Sequence, residues 1–308
     1  MIAIDDLRLI VRIADLSNLS AAARQLGWLP ATASAAFKRV EAELGVRIFD
    51  RPTRAVRPTE VGLVYLDSCR RALQALDDAA EKFSSDARGV AGYIRITATS
   101  DLGRHVLVPW LEELQDTYPE LRISLLLGDH LADLFEEGVD FALRHGMLDD
   151  STLVRRVLAS SPRAMVASPA YPETHGRPRT PEDLGAHRCL VHLRRGERIN
   201  RWIFGGPKGP MEVTVESVAC SDDGAIISLW ALAGRGLAFK SWLDVAADVA
   251  AGRLVPLFPE WSGPEIPLQL LSKAREYRPR RFEVCADFLA ERFRNYAARH
   301  PFTRRSQA

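Results

Sequence analysis

Four arginines crowd one short segment. Arg47, Arg51, Arg54 and Arg57 all fall within ELGVRIFDRPTRAVRPTEVG, residues 43–62, around a proline-bearing turn. A guanidinium presents paired N–H donors that fork onto two oxygens at once, which suits the phosphates of a nucleic-acid backbone. A solvated charged loop has the same composition, so the arginines gain meaning only from their neighbours. Upstream, NLSAAARQLGWLPATASAAFK (18–38) reads as two helices joined by a tight turn. Ser20 is placed to cap the first, with Ala21, Ala22 and Leu26 as its apolar face. Gly27 ends it, because glycine enters a left-handed cap without steric cost. Pro30 suits the first turn of the second helix, where its missing N–H would be unpaired anyway. Helix, tight turn, helix is a helix-turn-helix, expected about 19–38. Its expected contacts with double-stranded DNA are Ser20, Pro30, Ala31, Thr32, Ser34, Ala35, Lys38 and Arg39, with Arg51 and Arg54 on a two-stranded wing.

Other chemistries leave little trace. No Ser/His/Asp pattern in nucleophile-elbow form, no H-E-x-x-H and no phosphate-binding glycine loop occurs in residues 91–308. The seven histidines lack metal-ligand spacing, and Cys69, Cys189, Cys220 and Cys285 stand far apart with no C-x-x-C pair. No metal or other cofactor is expected, and an enzyme is the least favoured reading. The chain has 308 residues, 47% of them apolar and 26% charged, with a net charge of +1, so any DNA surface must be local rather than a global basic field. The opening MIAIDDLRLIVRIADL lacks a basic leader, and no apolar run approaches the roughly 20 residues that span a bilayer. A cytoplasmic protein without membrane contact is expected.

The elements that must position these groups are legible from periodicity. Beyond residue 91, strand patterns alternate with helical ones: YIRITAT (93–99), VPWLEELQDTY (108–118), LRISLLL (121–127), HLADLFEEG (130–138) and VDFALR (139–144). A second series runs through RAMVAS (163–168), CLVHL (189–193), VTVES (213–217), DDGAIISLWALAG (222–234) and GLAFK (236–240). The strand PLQLLSK (267–273) and the amphipathic helix FEVCADFLAERFRNY (282–296) finish the chain. Parallel βαβ units in two α/β subdomains are expected, 91–162 with 267–300 and 163–266, with ligand bound beyond the strand C-termini. Candidate ligand contacts are therefore Thr99, Ser100, Asp101, Asp129, Arg144, His145 and Asp222, together with Trp202 if it lines the cleft. Each has a plainer reading: Asp222 as a helix cap, Arg144 in a surface ion pair, Ser100 in a turn, Trp202 in the core. If Ser100 and Arg144 both face the cleft, they grip a carboxylate from two sides, which points to an anionic or zwitterionic metabolite.

Between these regions, 59–88 is one long helical pattern that Thr59 is placed to cap. Leu66, Cys69, Leu73, Leu76, Ala80 and Phe83 recur at alternating steps of three and four, as a heptad seam does. Burial against the protein's own core would produce the same stripe. A dimer helix suits a DNA-binding protein, since paired heads read half-sites about one helical turn apart.

The run AAARQLG, the P-x-x-x-S that follows, the E-x-E-L-G-V-R-I-F-D-R segment and R-P-T-E-V-G resemble the signature of LysR-type transcriptional regulators. ELQDTYPELRISL, DLFEEGVDFALRHG, MVASPAYPETHGRPRTPEDLGAHRCL and AGRGLAF resemble that family's effector domain, so the likeness covers nearly the whole chain. The resemblance implies a winged helix-turn-helix over 1–58, a linker and dimerisation helix over 59–88, and a periplasmic-binding-protein-like effector domain over 91–308. It implies a homodimer or homotetramer on DNA whose small-molecule effector changes DNA bending or RNA polymerase contact. It also supports Ser100, since the polar residue after the first strand often touches the ligand in the family. A solute-binding protein without a transcriptional role is the alternative. Three positions depart from the family pattern: Leu29 stands where Ser or Thr usually precedes the proline, Ala35 where an arginine is usual, and Lys240-Ser241 where a proline commonly follows GLAF.

Overall fold

The computed structural model describes residues 1–50, 56–83, 89–129, 139–146, 153–206, 209–274 and 279–304, with side chains undescribed for 80–83. The chain divides into two compact units, Met1–Arg88 and Gly89–Ala308.

In the first unit, α1 (Ile4–Leu16), α2 (Leu19–Gln25) and α3 (Pro30–Leu44) precede a ribbon of β1 (Phe49–Asp50) and β2 (Arg57–Pro58), and α4 (Glu60–Phe83) closes it. The two short strands pair antiparallel, Phe49 against Pro58 and Asp50 against Arg57. Leu9, Ile10 and Ile13 of α1 meet Ala22 and Ala23 of α2 and Ala33, Ala36, Phe37 and Val40 of α3 in one core. The small alanines let three helices approach closely while a few large side chains exclude water. Gly27 takes φ +70°, the left-handed conformation that lets the chain reverse between α2 and α3. Pro30 occupies the first turn of α3, and Thr59 caps α4 by accepting from Gly62 N–H at 2.9 Å.

Two expectations for this unit are corrected. Ser20 does not cap α2: the cap is Asn18, whose Oδ1 accepts from Ala21 N–H at 2.9 Å, and Ser20 is an exposed residue inside the helix. Asparagine matches serine as a cap, so position relative to the turn decides between them. The proposed seam of α4 is also redistributed. Leu66 and Cys69 are 1% and 3% exposed in the core of their own unit, and Leu73 packs against that core. Leu66 and Cys69 face their own unit's core and Leu73 is half-buried against it; Leu76 is exposed, and the side chains of Ala80 and Phe83 lie outside the described residues. The exposed apolar positions of α4 are different ones, Val61, Val64, Ala72, Ala75 and Ala79, at steps of three and four with the polar Ser68 between Val64 and Ala72.

In the second unit, β3 (Gly92–Ala98) leads into a continuous helical segment made of α5 (Ser100–Leu102), a π turn over Gly103–Leu107 and α6 (Val108–Thr117). Next come β4 (Leu121–Leu127), β5 (Phe141–His145) and the long β6 (Leu153–Ala167). After α7 (Ala170–His175) and a 3-10 turn at Pro181–Ala186 the chain forms β7 (Cys189–Arg194), β8 (Glu197–Arg198), β9 (Arg201–Gly206), β10 (Gly209–Thr214) and β11 (Ser217–Ser221). Finally, α8 (Gly224–Leu232), β12 (Leu237–Ser241), α9 (Trp242–Ala250), β13 (Val255–Pro256), β14 (Glu265–Lys273) and α10 (Arg280–Arg299) complete the unit. The strand order β11-β7-β12-β6-β14-β5-β3-β4 passes from one half to the other through β6. This strand pairs with β14 as far as Pro162 and with β12 from Arg163 onward.

β3 runs parallel to β4 and β5, and β7 runs parallel to β11 and β12, whereas β6 and β14 are antiparallel to their neighbours. Periodicity misplaced two features. β6 begins at Leu153, ten residues before RAMVAS, because its first half is mostly exposed and carries Arg155 and Arg156. VTVES straddles a break: β10 ends at Thr214, Val215 turns into the core, and β11 starts at Ser217. The helix expected at 130–138 lies outside the described residues.

Replacing Asn18 with Ala should lower unfolding free energy by about 1 kcal/mol through the lost cap, whereas Ser20→Ala should change it by less than about 0.5 kcal/mol. Urea unfolding of the two variants separates these outcomes.

Candidate functional site

The surface that α2 and α3 offer to DNA follows from their buried faces. Ala33, Ala36, Phe37 and Val40 point inward, leaving Ala31, Thr32, Ala35, Lys38 and Arg39 on the exposed side and Ser34 half-buried between. Arg39 also has an internal partner: its Nη2 lies 2.5 Å from Oδ1 of Asp6, which is buried and whose other oxygen accepts from Ala3 N–H. Arg39 therefore ties α3 to the start of α1 while keeping half its side chain in water. Arg51 and Arg54 lie outside the described residues.

The second unit holds a cavity of about 430 Å³ between its two halves. From one half it is lined by Thr99, Asp101, Asp129, Arg144, His145 and Gly146. The other half contributes Arg163, Leu190, His192, Ile199, Trp202, Gly224, Ile227, Phe239, Lys240 and Asp244. Trp202 both lines it and belongs to the core, donating from Nε1 to Ile199 O at 2.9 Å.

One wall is a network of charges that protein groups already satisfy. Asp129 accepts from Ser100 N–H at 2.9 Å with one oxygen and from Gly224 N–H, at the start of α8, at 2.6 Å with the other. The Oγ of Ser100 donates to Asp223 at 2.6 Å, and Asp223 caps α8 by accepting from Ala225 and Ile226 N–H. Lys240 bonds Asp101 and the carbonyl of Gly224. A Cβ on Gly224 would meet Asp101, Asp129 and Lys240 at 3.1–3.2 Å, so a glycine here lets three charged side chains converge on backbone. Burial pulls the Lys240 ammonium down, but Asp101 and Asp244 outweigh it and hold it above its ordinary value. Asp244 sits 3.1 Å from His145; burial pushes its carboxyl up, and His145, Lys240 and Arg163 together hold it below the ordinary carboxylate range.

The remaining cations are less well matched. Arg144 is 4% exposed, donates to Thr97 Oγ1 and to the carbonyl of Leu143, and keeps its Nε buried with no partner among the described residues. Burial lowers it to about 10, with Asp129 opposing. Arg163 has its guanidinium over the Phe239 ring, 5.9 Å from the centroid, and no hydrogen bond or ion pair holds it among the described residues. Burial and the nearby charge of Arg194 lower its pKa, and Asp244 only partly compensates. His192 is lowered by burial as well.

Of the ligand contacts expected from sequence, Thr99, Asp101, Asp129, Arg144, His145 and Trp202 come together around the cavity. Ser100 stands behind its wall, with its amide and hydroxyl engaged by Asp129 and Asp223, so the expected grip of Ser100 and Arg144 on a carboxylate is not assembled. Asp222 is exposed and neither lines the cavity nor caps α8; Asp223, the next residue, is the cap. Sequence reading missed Arg163, although it begins the RAMVAS segment read as a strand and lies on β6, and Asp244, which lies on α9, a helix it did not place. Lys240, a departure noted in the sequence, turns out to face inward.

Residues 4–63 match the bacterial regulatory helix-turn-helix of the LysR family, and residues 87–294 match the LysR substrate binding domain. The chain is 32% identical to the HTH-type transcriptional regulator DmlR of Escherichia coli over 96% of its length and 98% of that protein. It is likewise 32% identical to CrgA of Neisseria meningitidis, over 94% of this chain and 97% of that one. The solved structure of CrgA, a LysR-type transcriptional regulator, superposes with a TM-score of 0.61 at 30% identity, covering 94% of this chain and 98% of CrgA.

Replacing Lys240 with Met strands the buried carboxylate of Asp101 and should cost about 3–5 kcal/mol of stability. Adding Asp101→Asn should return most of that loss, because an uncharged amide is cheaper to bury. Tryptophan fluorescence during thermal unfolding, reporting on Trp202, Trp230 and Trp242, checks both.

Proposed function

The chain belongs to the LysR-type family of transcriptional regulators, and from that membership we propose that it senses a small organic acid in the cavity of its effector unit. A DNA-binding helix-turn-helix in the same chain removes the alternative of a solute-binding protein with no transcriptional role. The observation that carries the ligand reading is Arg163, a half-buried guanidinium on the cavity wall with neither hydrogen bond nor ion pair among the described residues. A cation drawn partly out of water with no counter-ion gains from an anion that pairs with it. The start of α8, the other natural seat for an anion, already holds Asp129. The effector's carboxylate therefore goes to Arg163, with the free Nε of Arg144 on the facing wall and the apolar body against Trp202, Phe239 and Ile199. Ligand bound across the two halves changes their relative setting, and the change reaches DNA as altered head spacing and altered polymerase contact. The reading assigns no catalysis to the cavity. It places the protein in the cytoplasm, and no described helix is long and apolar enough to cross a membrane.

The same reading makes α4 a pairing helix between two copies. Its support is the exposed stripe of Val61, Val64, Ala72, Ala75 and Ala79, together with Leu76, which the unit's own core leaves uncovered. Small residues along such a stripe permit close helix approach.

Thermal-shift and calorimetric screening of apolar monocarboxylic acids against their neutral amides should find an acid that binds at least about tenfold more tightly than its amide, the scale of one charge-assisted pair. Arg163→Gln should erase that difference while DNA affinity without ligand is retained. A ligand whose affinity ignores both the carboxylate and Arg163 contradicts the assignment. For assembly, Val64→Glu with Ala75→Glu should give smaller species in sedimentation and weaker DNA binding, because charge is costly at a helix pair.

A further inference from the structure

Specificity for DNA sequence is set by what the first turns of α3 can offer a base edge. In a helix-turn-helix the N-terminal residues of the second helix contact base edges in the major groove. From Pro30 to Phe37 that helix contains no Arg, Lys, Asn or Gln. The forked donors that identify guanine, and the amides that identify adenine, are missing from this stretch. Lys38 and Arg39 come a turn later, and Arg39 is bound to Asp6.

What the helix start does expose is mostly apolar, Thr32 apart. Leu29 is 73% exposed, in extended conformation at the cap position, and its side chain caps nothing. Ala31 and Ala35 are exposed on the following turns, with Thr32 between them. A single exposed leucine is ordinary on a protein surface. This one stands at the tip of the helix that enters the groove, continuous with the DNA-binding surface of the family to which the chain belongs. It occupies a position where serine, threonine, asparagine or aspartate would stabilise the helix. In the major groove one group answers an apolar side chain, the C5-methyl of thymine.

We propose that this regulator recognises its operator through thymine methyl groups, with Leu29 as the principal reader and Ala31 and Ala35 alongside it. Preference then falls on A·T pairs in a defined orientation, because only the thymine side of the pair carries the methyl. The contact adds no charge. It therefore adds discrimination among sequences without adding to the salt-dependent affinity that phosphate contacts supply.

The test uses the full-length protein and a duplex selected by it from a random-sequence pool. Each thymine of the selected site is replaced singly by deoxyuridine, which pairs identically and lacks only the methyl. At one or more positions in each half-site, affinity should fall about fourfold, the equilibrium value of one buried methyl-sized group. In Leu29→Ser, which restores a capping side chain and so keeps the helix, that same replacement should cost less than twofold, and the salt slope should be unchanged. Circular dichroism confirms that the variant is folded. Three results overturn the proposal: deoxyuridine tolerated within twofold throughout, a methyl-dependent loss of undiminished size in Leu29→Ser, or a selected site with no thymine preference.

Discussion

A carboxylate taken out of water must find donors, and Asp129 finds two backbone amides, those of Ser100 and Gly224, one from each half of the effector unit. This contact and the Lys240–Asp101 pair beside it set how the halves meet. Neither is a strong stabiliser in net terms, because desolvation offsets most of the attraction. Their effect is one of geometry: a buried charge tolerates few arrangements, so these contacts narrow how the halves can meet. β6 supplies the covalent counterpart, pairing with β14 in one half and β12 in the other.

That arrangement decides what the cavity can recognise. Free amides at the start of a helix attract anions, but here a side chain of the same protein takes that role. Arg163, whose guanidinium rests over Phe239, has no ion pair among the described residues. The cavity thus separates a saturated polar wall from one that combines an unmatched cation with aromatic and aliphatic surface. Arg163 and Asp244 are electrostatically coupled to each other, and Asp244 to the Lys240 that pairs with Asp101.

The DNA-binding unit economises differently. Its core is built from alanines and a few large residues, so close helix packing leaves one face of α3 exposed. Arg39, which sequence reading assigned to DNA, also stabilises a buried Asp6 and so couples that face to the helix scaffold. On α4 the inward stripe and the exposed stripe are separate, which lets one helix close a core and still present an apolar surface.

Much of this was legible in the sequence because local rules dominate there. The turn at Gly27, the proline at the start of α3, the cap at Thr59 and most strands and helices follow from residue type and period alone. The spacing of AAARQLG, Pro30, the Arg47 segment and R-P-T-E-V-G was enough to identify the family. Periodicity failed where a strand is exposed along half its length, as in β6, because no alternation then marks it. It failed again where two equivalent residues compete for one role: Asn18 against Ser20, Asp223 against Asp222. The ligand site was only half visible, since strand ends can be located in a sequence but side-chain partners cannot. Whether Ser100 was free, whether Leu66 packed on its own core, and that Arg163 would have no counter-ion among the described residues were decided by contacts between residues far apart in the chain, and only the tertiary fold brings those together.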